Sequence, residues 1–239
     1  MRSASGIPKH GKPAAIAPTL MKIPFSTDQF LDIFRIYNEA VWPAPIVAYL
    51  LALLAIAAAA SRLPWSGQFI GGVLALFWVW IGMVYHITFF SRINPAALFF
   101  GFLFIAQGIL FLVDGPIRHV LTFQPDSGLR GVVGWLLVLY AMVIYPISGA
   151  MLGHGYPDAP VFGIAPCPTA IFTFGLLLWS QPNVSGRLLI IPVIWAVIGS
   201  TAALSLGILE DTGLLAASVL TVALWIARRR KNLSVAALT

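Results

Sequence analysis

Apolar residues run along most of this chain in long blocks, separated by short connections rich in glycine, proline and polar residues. Seven blocks, at 43–61, 68–91, 95–115, 131–152, 163–180, 187–208 and 212–227, predict transmembrane helices. Crossing roughly 30 Å of hydrocarbon takes about twenty apolar residues, so the fifth and seventh blocks are short for that task. Ahead of them, Ser26 and Gln29 have capping-box spacing, and Phe30, Ile33, Phe34 and Tyr37 follow at helical intervals. That pattern predicts a short amphipathic helix within 21–38, lying at a membrane interface. The expected architecture is an all-α polytopic transmembrane helix bundle of about seven spans over 39–230, with that interfacial helix before it and a cytoplasmic tail at 231–239. Residues 1–20, basic and rich in Pro, Gly and Ala, lack the apolar run of a signal peptide and read as a disordered leader, with Met21 as an alternative start.

Composition strengthens this reading. Hydrophobic residues make up 59% of the chain and charged residues 9%, with a mean hydropathy of +0.92. A typical soluble domain has about 25% charged residues, so nothing remains for a separate soluble domain. The net charge is +6, but the basic residues are scattered singly except for Arg228, Arg229, Arg230 and Lys231, which directly follow an apolar block. Nucleic-acid binding requires a basic face, whereas a cluster flanking a span sets its orientation toward the cytoplasm. With seven spans and the C-terminus inside, the inner side carries Arg62, Arg118, Arg130, Arg187 and the basic run. The outer side carries Lys22, Arg35 and Arg92, plus three leader charges, so an outside N-terminus is expected.

That topology sorts the reactive side chains. Asp28, Asp32, Glu39, Asp158, Glu210 and Asp211 fall on the outer side, against Asp114 and Asp126 on the inner. Tyr85, His86, Asn94 and Tyr145 sit near outer helix ends, and His154, Tyr156 and Cys167 join them from a Gly/Pro-rich loop that cannot be helical. Pro168 suits the first position of the following helix, placing Cys167 at its N-terminus, where the dipole favours a thiolate. Each residue also has a structural explanation. A membrane-embedded His86 can serve a site or hydrogen-bond a neighbouring helix, His154 can be solvated, and Cys167 can be a small buried apolar residue. Glu39 and the Glu210–Asp211 pair head helices, where acids offset the dipole. His86, His154 and Cys167 at one depth are a candidate mixed-ligand metal set, and the two histidines a candidate haem pair. No His or Cys ligand spacing, nucleotide loop or Gly-x-Ser-x-Gly elbow is present, and no cofactor is identified. Near the bilayer centre only Gln107 and scattered Ser and Thr are polar, which argues against an ion-coupled transporter.

Tyr37–Pro43 (YNEAVWP), Val84–Ala97 (VYHITFFSRINPAA), Gly153–Trp179, including PCPT, and Ile208–Leu215 (ILEDTGLL) carry a resemblance to a family of bacterial multi-pass membrane proteins of uncharacterised function. The likeness runs over about 21–227 and implies a bacterial inner-membrane location, with no catalytic residues to carry over. Three functional readings follow. The polar layer binds or transports a small solute or metal ion through Glu39, His86, His154, Asp158 and Cys167, with Glu210 and Asp211 at its rim. Alternatively the chain is a membrane-embedded enzyme with a histidine base and Cys167 as nucleophile. The third is an accessory subunit, whose partners are the lipid bilayer and either a second copy or a larger membrane complex.

Overall fold

A computed structural model describes residues 24–181 and 184–236; the expected leader and the last three residues of the tail lie outside these. The described chain is all-α, with no strand beyond an isolated bridge between Phe123 and Ser180. Helix α1 (Thr27–Ala40) carries the expected capping box, Ser26 and Gln29 each meeting the other's backbone N–H. It turns by 82° into α2 (Ala44–Ala60), so α1 lies across the end of the bundle while α2 runs along it. There follow α3 (Ser66–Arg92), α4 (Ala97–Ile117) and α5 (Leu129–Met151). After a loop come α6 (Pro166–Leu178), α7 (Arg187–Leu206) and, past a 3-10 turn at Leu209–Asp211, α8 (Thr212–Ala236).

Five of these helices are long and apolar enough to cross a membrane, or six if the bent α1–α2 pair counts as one span. The sequence count of seven therefore exceeds what length and hydropathy support in the folded chain. The difference lies in α2, with 17 residues, and α6, with 13. At 1.5 Å per residue these rise about 25 Å and 20 Å, short of a bilayer core of roughly 30 Å.

Helix α6 is the axis of the bundle, with every one of its residues buried. Its first helical position holds Pro166, not Pro168, so Cys167 is the second residue of the helix. The α3–α4 pair is drawn together by glycines. A Cβ on Gly71 would stand 2.8 Å from the Gly115 Cα, and one on Gly82 would stand 2.7 Å from the Gly101 carbonyl oxygen. Small residues let apolar helices pack by close backbone approach where no hydrophobic force separates them from lipid. Trp179, near the end of its apolar block, is buried beside Trp135 and donates to the Gly131 carbonyl at 3.2 Å.

Polar contacts gather at the two ends of the bundle. At one, Arg187 pairs with buried Asp114, Arg228 reaches Gln181, and Arg130 donates to the Leu178 carbonyl at 2.5 Å. At the other, Asn38 of α1 donates to the carbonyls of Pro157 and Ala159 at 2.6 and 2.9 Å, and Thr27 donates to the Leu206 carbonyl at 3.2 Å. These bonds clamp α1 over the 152–165 loop and the end of α7.

Candidate functional site

The candidate site forms at the α1 end because three helices stop or distort there. Helix α7 ends at Gly207, whose φ of 74° gives the left-handed cap that a residue without Cβ adopts freely. The chain then turns through Leu209–Asp211 and carries both acids inward, Glu210 at 3% exposure and Asp211 at 2%. In α3 the segment Ile81–Phe89 is π-helical, and in α5 the segment Tyr140–Ile144. Such one-residue widenings re-aim side chains and recur at functional sites. Here they carry Tyr85 and His86 on one side, and Tyr140 and the approach to Tyr145 on the other.

The Tyr145 hydroxyl donates to Asp211 Oδ1 at 2.5 Å, and the Cys167 thiol stands beside the same carboxylate and the Trp195 indole. Glu210 has neither carboxylate oxygen hydrogen-bonded; its Oε1 lies 3.5 Å from His154 Nδ1, at ion-pair distance only. The Glu210 carbonyl accepts from Tyr140 at 2.8 Å. Among the described residues, no Lys or Arg comes within 4 Å of either acid.

A chamber of about 240 Å³ opens onto this cluster. Its roof is Phe25, Phe30 and Phe34, and its walls include Phe90, Phe100 and Trp195. Its polar lining residues are Tyr85, Asn94, Cys167, Trp195 and Asp211. Four of the residues expected from sequence thus share one space: Tyr85, Asn94, Cys167 and Asp211. Tyr145 and Glu210 adjoin it through Asp211, and His154 lies behind Glu210.

The remaining expected residues lie elsewhere. Glu39 and Asp158 are solvent-facing on the outer side of α1, bracketing Arg35 at 3.7 and 4.0 Å, with Asp32 as its closest partner. These carboxylates, Asp32 first, raise the Arg35 pKa above its ordinary value and hold it charged. Tyr156 is exposed against Trp42, with ring centroids 6.2 Å apart. His86 is fully buried, both ring nitrogens lack a partner, and Phe104 and Trp195 stand 4.7 and 5.2 Å from it, centroid to centroid. The proposed metal set is not assembled. Among the described residues, no three His, Cys, Asp or Glu side chains are grouped to hold an ion, because His86 sits in an aromatic box while His154 faces Glu210.

Sequence reasoning overlooked two residues that shape the site. Asn38 anchors the α1 roof, and the helical stripe through Phe30, Phe34 and Tyr37 already points position 38 inward and 39 outward. Trp195 falls in the middle of its apolar block, where no interfacial belt explains an indole.

Fold and site together define an all-α bundle of apolar helices enclosing an aromatic chamber that meets a buried carboxylate at one end. The chain belongs to DUF6064, a family of unknown function whose model matches residues 27–235. No curated protein and no solved structure matches it.

Proposed function

We propose that this chain is an integral protein of the bacterial inner membrane that binds a small, largely apolar molecule in the α1-end chamber. Seven crossings, by α2 to α8, with α1 on the outer surface and the Arg228–Lys231 run in the cytoplasm, put the chamber in the extracytoplasmic half. One finding supports this orientation: the basic run lies at the Arg187 end, opposite α1 and the chamber. Helices α2 and α6 are short for a bilayer. However, α6 is shielded on all sides by other helices, so it need not match the lipid thickness.

The observation that carries the binding reading is the chamber itself. Its volume of about 240 Å³ exceeds the roughly 150 Å³ of an apolar cavity that admits benzene. Its walls are mostly apolar, seven of the lining side chains being aromatic, with a few convergent polar groups, which is how small-molecule sites are built. Phe100 of α4 and Ile198 and Ala202 of α7 line it while only half-buried, so the wall between α4 and α7 faces lipid and offers a way in from the hydrocarbon.

Toluene tests the reading. In detergent, saturating toluene raises the melting temperature of wild type by mass action, and Ala202→Phe, which fills the chamber, abolishes the rise. Equal shifts in the two proteins sink the proposal.

A further inference from the structure

The chamber's polar groups are mismatched in a way that specifies its occupant. Trp195 lines the chamber, yet its Nε1–H is buried with no hydrogen-bond partner. It stands beside the Cys167 thiol, which also lies against Asp211; that thiol is a weak acceptor and a weak donor, and it leaves the indole N–H without a geometric hydrogen bond. An indole N–H can only donate. Across the same corner Asp211 accepts from Tyr145 at 2.5 Å and has acceptor capacity left. The corner therefore lacks a strong group that accepts from Trp195 and donates to Asp211, because the Cys167 thiol between them can do each only weakly.

From this we infer that the ligand is a neutral, lipid-soluble alcohol or phenol, its hydroxyl between Trp195 Nε1 and Asp211 and its apolar body against Phe25, Phe30, Phe34 and Phe100. The inference rests on the binding role proposed above. A hydroxyl both donates and accepts, so it satisfies both groups at once. An ammonium has three donors and no acceptor and leaves Trp195 unpaired; a carboxylate or phosphate meets the buried acids with like charge. An ether or ketone satisfies Trp195 alone. An unmet donor buried in an apolar site is costly, so a ligand that meets it gains affinity, and one that cannot is rejected.

The experiment measures binding of toluene, p-cresol, 4-methylanisole and 4-methylbenzylamine by thermal-shift isotherms on the full chain in detergent. Trp195→Phe keeps an aromatic ring and removes the N–H; Asp211→Asn keeps the shape and removes the charge. The expected result is that p-cresol weakens about tenfold on each substitution, the size of one good hydrogen bond. Toluene stays within about twofold in both, and 4-methylanisole weakens on Trp195→Phe alone. Comparing each probe across proteins cancels its partition into detergent. If p-cresol and toluene respond alike to both substitutions while Ala202→Phe still blocks both, the hydroxyl assignment is overturned and the binding role stands. If Ala202→Phe blocks neither, the binding role itself has failed. If 4-methylbenzylamine binds more tightly than p-cresol and weakens only on Asp211→Asn, the occupant is a cation and the inference is wrong.

Discussion

Replacing His86 with leucine is expected to stabilise this protein, although a histidine within an apolar helix usually suggests function. The imidazole is fully buried in the π-helical stretch of α3, ringed by Phe90, Phe100, Phe104 and Trp195, and neither nitrogen has a partner. A buried polar group without a hydrogen bond costs about 1–3 kcal/mol on mutational scales, and His86 has two such atoms. Leucine has similar bulk and no polar atoms, so it removes that cost. It forfeits the ring–ring contacts with Phe104 and Trp195, of order 0.5–1.5 kcal/mol. The net expectation is a gain of about 1–3 kcal/mol for His86→Leu. His86→Asn, which keeps the polar atoms and leaves a gap, is expected to lose stability. Thermal or denaturant unfolding of the purified protein in one detergent reads both. A loss of more than about 1 kcal/mol in the leucine variant refutes the reasoning, because it means that the imidazole has a partner whose removal leaves that partner unmet.

Two further sets of substitutions probe the packing at the end of the bundle opposite the chamber. Removing Arg187 leaves Asp114 buried without a counter-charge, so Arg187→Leu is expected to approach the ~3–5 kcal/mol loss of a broken buried pair, lessened because the Arg187 head is half-exposed. The double variant Asp114→Leu/Arg187→Leu recovers most of it, and a double no more stable than the single contradicts this account. In α3, a Cβ on Gly67 would lie 1.7 Å from the Leu121 carbonyl oxygen, whereas one on Gly72 meets nothing nearer than 3.7 Å. Gly67→Ala is expected to cost about 1–3 kcal/mol or more and Gly72→Ala to gain up to about 1 kcal/mol; melting temperatures shifting the same way in both would show that the contact of α3 with the α4–α5 loop does not constrain the helix.

The helices were legible because hydropathy is averaged over many residues, and one misplaced side chain does not alter the pattern. Proximity along the bundle follows from the same pattern, since Tyr85, Asn94, Tyr145, Cys167 and Asp211 lie at or near the ends of apolar blocks and gather around one chamber. Azimuth was not legible, because it depends on which neighbour each helix face meets. Glu39 and Asn38 are adjacent at one depth, yet Glu39 is exposed and Asn38 fully buried. Within α1 the 3.6-residue stripe could have separated them. For His86 no such stripe exists, since α3 is apolar on every face and only tertiary contact distinguishes an aromatic box from a chamber wall.

The Glu210–Asp211 pair shows why local rules stop short of function. Acids at the start of a helix offset its dipole wherever they point, and exposed carboxylates would do so without desolvation. Here Gly207 ends α7 and the 3-10 turn carries both acids inward, where Asp211 finds Tyr145 and Glu210 finds only His154 at ion-pair distance. Dipole compensation accounts for the residue type at these positions but not for their burial. Burying a carboxylate is unfavourable unless other groups satisfy it. Of the groups near Asp211 that remain unsatisfied, the Trp195 donor is the one on the chamber wall. A molecule seated between them relieves both, so the burial of Asp211 is better explained by what the chamber holds than by the helix it begins.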